Sequence, residues 1–265
     1  MSHKRILLQA AISAAVTGGN ILLAHSDDAR RRFFHAKESF RDVVTPNELY
    51  AEKKIIEELG RNNKYPIVAE ESHISAKPNL KGTYWLVDPL DGTVNYVHRV
   101  PFYCVSISFI EKGLPSIGVI FNPLSQELFY GAKGIGVYKN DKGLNVNDRN
   151  PELSLFAVSF SGKQYEPSTR DEEFLSFARV NDASMGCLRT GSAAMNLAYL
   201  AEGRLGGCWG KANKWWDIAG GLLLAQLSGA RIEYTIIDES RWLVSYFAAV
   251  PSSWESMRKK VIPGQ

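Results

Sequence analysis

Between Pro66 and Tyr138 the chain breaks into short apolar runs, at Ile67 to Ala69, Tyr84 to Val87, Val105 to Ile110, Ile117 to Asn122, Glu127 to Tyr130 and Gly136 to Tyr138. Turn formers separate them at Lys112-Gly113, Asn122-Pro123 and Lys133-Gly134, which predicts an antiparallel meander. After a polar stretch from Asn140 to Pro151 the pattern changes. Strand-like runs at Leu155 to Ser159, Leu205 to Trp209, Arg231 to Tyr234 and Trp242 to Ala248 alternate with helical runs at Asp171 to Val180, Ser192 to Glu202, Asp217 to Leu227 and Ser252 to Val261. Such an order predicts stacked layers of sheet and helix, with a boundary near 148/149 separating an N-terminal unit, 1–148, from a C-terminal one, 149–265.

Ahead of the meander, Ile6, Leu7, Ala10, Ala14, Ile21 and Leu22 recur at helical spacing. Lys4-Arg5 before an apolar stretch has the order of a short secretory signal, but this periodicity favours a packed helix. No run of 18 apolar residues occurs, so no membrane span is expected. Asp27 to Arg41, with Arg30-Arg31-Arg32, reads as a loop or short hairpin with solvated charge. Thr45-Pro46-Asn47-Glu48 opens a helix expected to run to about Leu59, with Leu49, Ile55, Ile56 and Leu59 inward, because a Thr cap, an early Pro and an acid at the third helical position coincide.

A net charge of +3 is too small to make a nucleic-acid surface the default. Cys104, Cys187 and Cys208 lack metal-ligand spacing and are odd in number, which fits a reducing cytoplasm.

Chemistry concentrates at Trp85-Leu86-Val87-Asp88-Pro89-Leu90-Asp91-Gly92-Thr93-Val94-Asn95. An apolar strand runs into two carboxylates that Pro89 and Gly92 oblige to turn, so both acids and the Leu90 carbonyl can aim at one point, as a hard cation requires. Gly92-Thr93 adds amides and a hydroxyl suited to an anion. Read blandly, the string is a surface turn; an EF-hand is excluded by the missing acids downstream. Glu70 follows the run Ile67 to Ala69 and falls beside Asp88 if that strand neighbours Tyr84 to Val87. Asp217, after Trp215-Trp216, opens a helix and reads equally well as a cap. His73 and His98 lack ligand spacing and read as ordinary polar residues.

Ala69-Glu70-Glu71-Ser72, Trp85 to Asn95, Gly191-Ser192-Ala193-Ala194 and Trp216-Asp217-Ile218-Ala219-Gly220 resemble, in order and spacing, the signature segments of the inositol monophosphatase family. The resemblance implies a layered α-β-α-β-α sandwich, usually a homodimer, and a lithium-sensitive phosphoric monoester hydrolase using two or three Mg²⁺. It assigns Glu70, Asp88 and the Leu90 carbonyl to a first ion and Asp88, Asp91 and Asp217 to a second, with in-line attack by an activated water. Thr93 would work with an upstream acid, here Glu48 in place of the family's aspartate, although Glu48 also fits a capping box with Thr45. Lys37 matches a lysine near the water, and Ala193 a position whose backbone faces substrate, with Gly92 and Thr93 at the phosphate.

Inositol-specific members carry a glutamate seven residues before the last aspartate, where this chain has Gly210, which argues against strict inositol preference. Lys211 and Lys214 put positive charge there instead and suit a second anionic group, while the Trp215-Trp216 pair suits a sugar or base but more often belongs to a core. The expected substrate is therefore a small phosphorylated metabolite, a polyol or sugar phosphate. The alternatives are 3′-phosphoadenosine 5′-phosphate, NADP or fructose 1,6-bisphosphate, and outside enzymes a regulatory binding role.

Overall fold

The computed structural model describes residues 2–26, 35–39, 42–61, 64–72, 80–160 and 167–262, with the side chains of 35–39, 42 and 167–169 excepted. Five layers stack through the molecule. The outermost holds α1 (His3–Ala24) and α2 (Pro46–Gly60). Both pack on a seven-stranded sheet of β3 (Ile67–Ala69), β4 (Tyr84–Asp91), β5 (Cys104–Glu111), β6 (Leu114–Asn122), β7 (Glu127–Ala132), β8 (Gly136–Lys139) and β9 (Lys142–Gly143), in that order. Helices α5 (Ala193–Ala201) and α6 (Trp215–Leu227) fill the middle layer. A second sheet follows, ordered β11 (Gly186–Leu188), β10 (Leu155–Ser159), β12 (Gly207–Lys214), β14 (Leu243–Ala249), β13 (Arg231–Asp238). Helices α4 (Pro167–Asn181) and α7 (Pro251–Val261) close its far face. A small hairpin of β1 (His35–Ser39) and β2 (Asp42–Val44) and a short helix, α3 (Thr93–His98), complete the set.

The layered α-β-α-β-α expectation is what the chain adopts. From β4 to β8 the first sheet is the meander read from the sequence, β9 extends it into the stretch read only as polar, and β3, expected within the antiparallel meander, joins it parallel to β4. The second sheet mixes parallel pairs, β10 with β11 and β12, and antiparallel ones, β14 with β12 and β13.

Helix α1 is long and apolar enough to cross a membrane by length and composition, a length it reaches with Ala and Gly as well as Leu and Ile. Here it buries Leu7, Leu8, Ala11, Ala14, Ala15 and Leu22 against α2 and the first sheet, as a core helix does. Gly18 and Gly19 allow the approach, because a Cβ on either would strike Ile55 or Phe121 at 2.5 Å.

Two expectations about helix faces need correction. Ile6 is 43% and Leu49 48% exposed. The inward face of α2 is held by Glu48, Ala51, Glu52, Ile55 and Leu59, so two acids occupy the place a purely hydrophobic reading gives to Leu49.

Candidate active site

Helix α6 lies on the first sheet almost backbone to backbone. A Cβ on Gly118 of β6 would meet the Gly220 carbonyl oxygen at 2.6 Å, and one on Gly220 would meet Ser108 Oγ at 2.7 Å. Ser106 Oγ of β5 donates to the Trp216 carbonyl at 3.2 Å. This contact seats the first turn of α6, and Asp217 with it, over the end of β4 where the chain leaves the ladder. The β4–β5 register breaks between Asp88 and Asp91. Asp88 Oδ1 accepts the Leu90 amide at 2.9 Å, the side-chain-to-backbone closure expected of an Asp in a turn.

β3 pairs with β4 in the register Ala69↔Val87, and the Glu70 amide donates to the Val87 carbonyl at 3.0 Å, which sets Glu70 beside Asp88. Carboxylate oxygens of Glu48, Glu70 and Glu71 lie within 4.8 Å of one another. Asp88 is 1% exposed. Burial, then the charges of Glu70, Asp217, Asp91 and Glu48, hold its carboxyl well above the usual range. Asp217 is likewise raised by burial and by Asp91 and Glu70, against the Lys214 amide, which donates to its Oδ2 at 3.3 Å. Asp91 is pushed up to about 6, burial being the largest cause. Its Oδ2 accepts Ser192 Oγ at 2.6 Å and the Ala194 amide at 2.7 Å. Four acids, from the turn after β3, from β4 and from α6, thus converge in one charge-repelling group.

Glu48, fully buried, does two jobs at once. Oε2 accepts the Thr45 amide at 3.2 Å and Thr45 Oγ1 accepts the Glu48 amide at 3.2 Å, completing a capping box. Oε1 accepts the Thr93 hydroxyl at 3.3 Å. The capping box and the contact with Thr93 therefore coexist, one oxygen each. The Leu90 carbonyl, 3.0 Å from Thr93 Oγ1, is the other acceptor open to that hydroxyl's one proton, and this oxygen has a second lone pair for another partner. Gly92 is at φ +96°, where a Cβ would meet the Phe102 carbonyl oxygen at 3.0 Å, so the turn requires glycine.

Ser192, which the sequence motif contained without a role, caps α5 by accepting the Met195 amide at 3.2 Å and also holds Asp91. Ala193, the first residue of α5, is 5% exposed beside it. Asn95 ties this segment to β4's turn: its Nδ2 donates to the Phe102 and Thr190 carbonyls at 2.6 and 2.9 Å.

Lys211 pairs with Glu172 of α4 at 2.7 Å, and Lys214 Nζ donates to the Arg241 carbonyl at 3.1 Å. Trp215 and Trp216 are 4% and 1% exposed and belong to the core. Lys37 is on β1 with its side chain outside the described residues, where Arg30-Arg31-Arg32 and His73 also fall. His98 is exposed at the end of α3.

The model of the inositol monophosphatase family matches residues 3–258. The chain belongs to the inositol monophosphatase family. It is therefore a phosphatase of that superfamily, whose members depend on a metal. It is 34% identical over 227 residues to "Nus factor SuhB" of Xylella fastidiosa, covering 83% of this chain and 79% of that one. It is 33% identical over 242 residues to "Inositol monophosphatase 2" of Saccharomyces cerevisiae, covering 83% and 79%. The inositol monophosphatase structure from Anabaena superposes with a TM-score of 0.83 at 28% identity, over 98% of this chain and 96% of that one.

Proposed function

We propose that this chain is a Mg²⁺-dependent phosphomonoesterase acting on small polyol or sugar phosphates. The observation that carries the reading is the convergence of Glu70, Asp88, Asp91 and Asp217, in which burial and the neighbouring charges raise the carboxyls of Asp88, Asp91 and Asp217. An all-oxygen, multiply anionic donor set of this kind fits a hard divalent cation. Glu70, Asp88 and the Leu90 carbonyl would hold one ion and Asp88, Asp91 and Asp217 another. When bound, such ions supply a nucleophile at neutral pH and neutralise charge on the transferring phosphoryl group and the leaving oxygen.

The chain's own residues do the rest. Thr93 accepts a hydrogen bond from the attacking water while its hydroxyl proton faces Glu48, so the pair orients the water and takes its proton. Residues 1–148 supply this pair and three acids; residues 149–265 supply Asp217 and the backbone at Ala193 that faces substrate. Gly92 and Thr93 offer amides to the phosphate.

A strict inositol preference is not supported. A Cβ at Gly210 would lie 2.0 Å from Asn213 Oδ1 and 2.9 Å from the Ser159 carbonyl oxygen, so no longer side chain fits there unless Asn213 moves. Because Lys211 and Lys214 have partners of their own, single phosphates are favoured over 3′-phosphoadenosine 5′-phosphate, NADP and fructose 1,6-bisphosphate. Phosphate release across that panel tests the reading, which fails if a bisphosphate turns over while inositol 1-phosphate and sugar monophosphates do not. The same reading carries lithium inhibition, a homodimer and a cytoplasmic location, checked by inhibition curves, light scattering and fractionation.

The relative named a Nus factor favours a second role in regulatory binding beside catalysis. Asp88→Asn separates the two: a cellular phenotype that survives loss of phosphatase activity belongs to binding.

A further inference from the structure

We infer that Glu52 is a positioning residue for Glu70, acting through the backbone of the turn that follows β3; the inference rests on Glu70 being a metal ligand, as proposed above. The β3 ladder stops at Ala69, and the next amide, that of Glu70, still reaches a β4 carbonyl, Val87, at 3.0 Å. The next amide, of Glu71, has left the ladder, and Glu52 Oε2 accepts it at 2.7 Å. These amides belong to the two peptide planes that flank the Glu70 Cα. With both planes held, φ and ψ of Glu70 are set, and the direction of its side chain toward Asp88 is set with them.

The holder is itself well fixed. Glu52 is 4% exposed on the inward face of α2, one helical turn beyond Glu48 and on the same side. A carboxylate buried at such a position is costly unless it is hydrogen-bonded, and a charge-assisted bond of this length to a backbone amide is among the stronger ones available. Helix α2 thereby gauges two parts of the site at once. Glu48 Oε1 meets the Thr93 hydroxyl at 3.3 Å, and Glu52 holds the turn bearing Glu70. Neither composition nor the family's signature segments single Glu52 out, since an acid in the middle of a helix ordinarily reads as a solvated face.

Two variants of nearly equal size separate positioning from packing. Glu52→Gln keeps an oxygen that accepts the Glu71 amide; Glu52→Met fills the same space with none. The full chain, stripped of metal, is titrated with Mg²⁺ by calorimetry, and phosphate release is followed against Mg²⁺ concentration. Loss of a group that orients a ligand typically weakens metal affinity roughly ten- to a hundred-fold. That loss is expected for Glu52→Met, with substrate KM at saturating Mg²⁺ unmoved, while Glu52→Gln stays near the natural affinity. A packing role alone moves the melting temperature and leaves the Mg²⁺ titration where it was; that result, or a Gln variant as impaired as Met, overturns the inference. A natural chain that binds no Mg²⁺ overturns the ligand reading of Glu70 first, and is told apart by failing before either variant is compared.

Discussion

Replacing Asp91 by asparagine separates what the acid group costs the fold from what it does. In the metal-free chain burial, and after it the charge of Glu70, outweigh the hydrogen bonds from Ser192, Ala194 and Ala193, and the carboxyl moves from 3.8 to about 6. A rise of roughly two units at about 1.4 kcal/mol each is on the order of 3 kcal/mol. Because the folded-state value lies above the unfolded one, the native state binds the extra proton between the two. Stability from this group is complete below pH 3.8, falls as pH rises, and is lost above about 6. Asparagine keeps an oxygen for Ser192 Oγ and the Ala194 amide and removes the charge. In EDTA at pH 7.5, Asp91→Asn is therefore expected to be more stable than the natural chain by up to about 3 kcal/mol, and at pH below 3.8 by nothing. Saturating Mg²⁺ should close the gap at pH 7.5, and hydrolysis by the variant should be lost. Urea unfolding at both pH values, with EDTA and with Mg²⁺, reads all four conditions. An advantage that is absent at pH 7.5 in EDTA, or that persists unchanged in acid, refutes the reasoning.

Glu48→Gln retains the acceptor that caps α2 but gives Thr93 no base, so kcat should fall about 10²- to 10⁴-fold with the melting curve nearly unmoved. Glu48→Ala should lose about 1 kcal/mol of stability as well, read by urea unfolding. Lys211→Ala breaks only a partly exposed pair with Glu172, so stability should change by less than about 1 kcal/mol and kcat/KM should hold. Gly118→Ala drives a methyl group into the Gly220 carbonyl; it should cost about 1–3 kcal/mol and lower kcat, because α6 carries Asp217.

Most strands and helices were legible because their apolar periods are local properties of the chain. Helix α2 is the clearest case: the signals at Thr45, Pro46 and Glu48 mark its start, and the observed box has both bonds. Leu49 misled because a pattern read by hydrophobicity alone assigns acids to solvent, whereas Glu48 and Glu52 face inward to backbone amides and a hydroxyl from other elements. Short elements such as α3 and β11 were missed, being too brief to show a period. Asp88 and Asp91 stood out through turn residues after an apolar strand, Glu70 as an acid at the end of one, and Asp217 through its place at a helix start. What brings Asp217 to them is the near contact of Gly118 and Gly220, two glycines about a hundred residues apart, and no local pattern encodes that. The tethers of Lys211 and Lys214 are equally non-local.

Crystals grown with Mn²⁺ in place of Mg²⁺, together with inorganic phosphate, test the central claim most directly through anomalous scattering. The account predicts one peak shared by Asp88, Asp91 and Asp217 and another shared by Asp88, Glu70 and the Leu90 carbonyl, with phosphate beside Gly92, Thr93 and Ala193. Phosphate and Mn²⁺ bound elsewhere, with these four carboxylates bare, would contradict it.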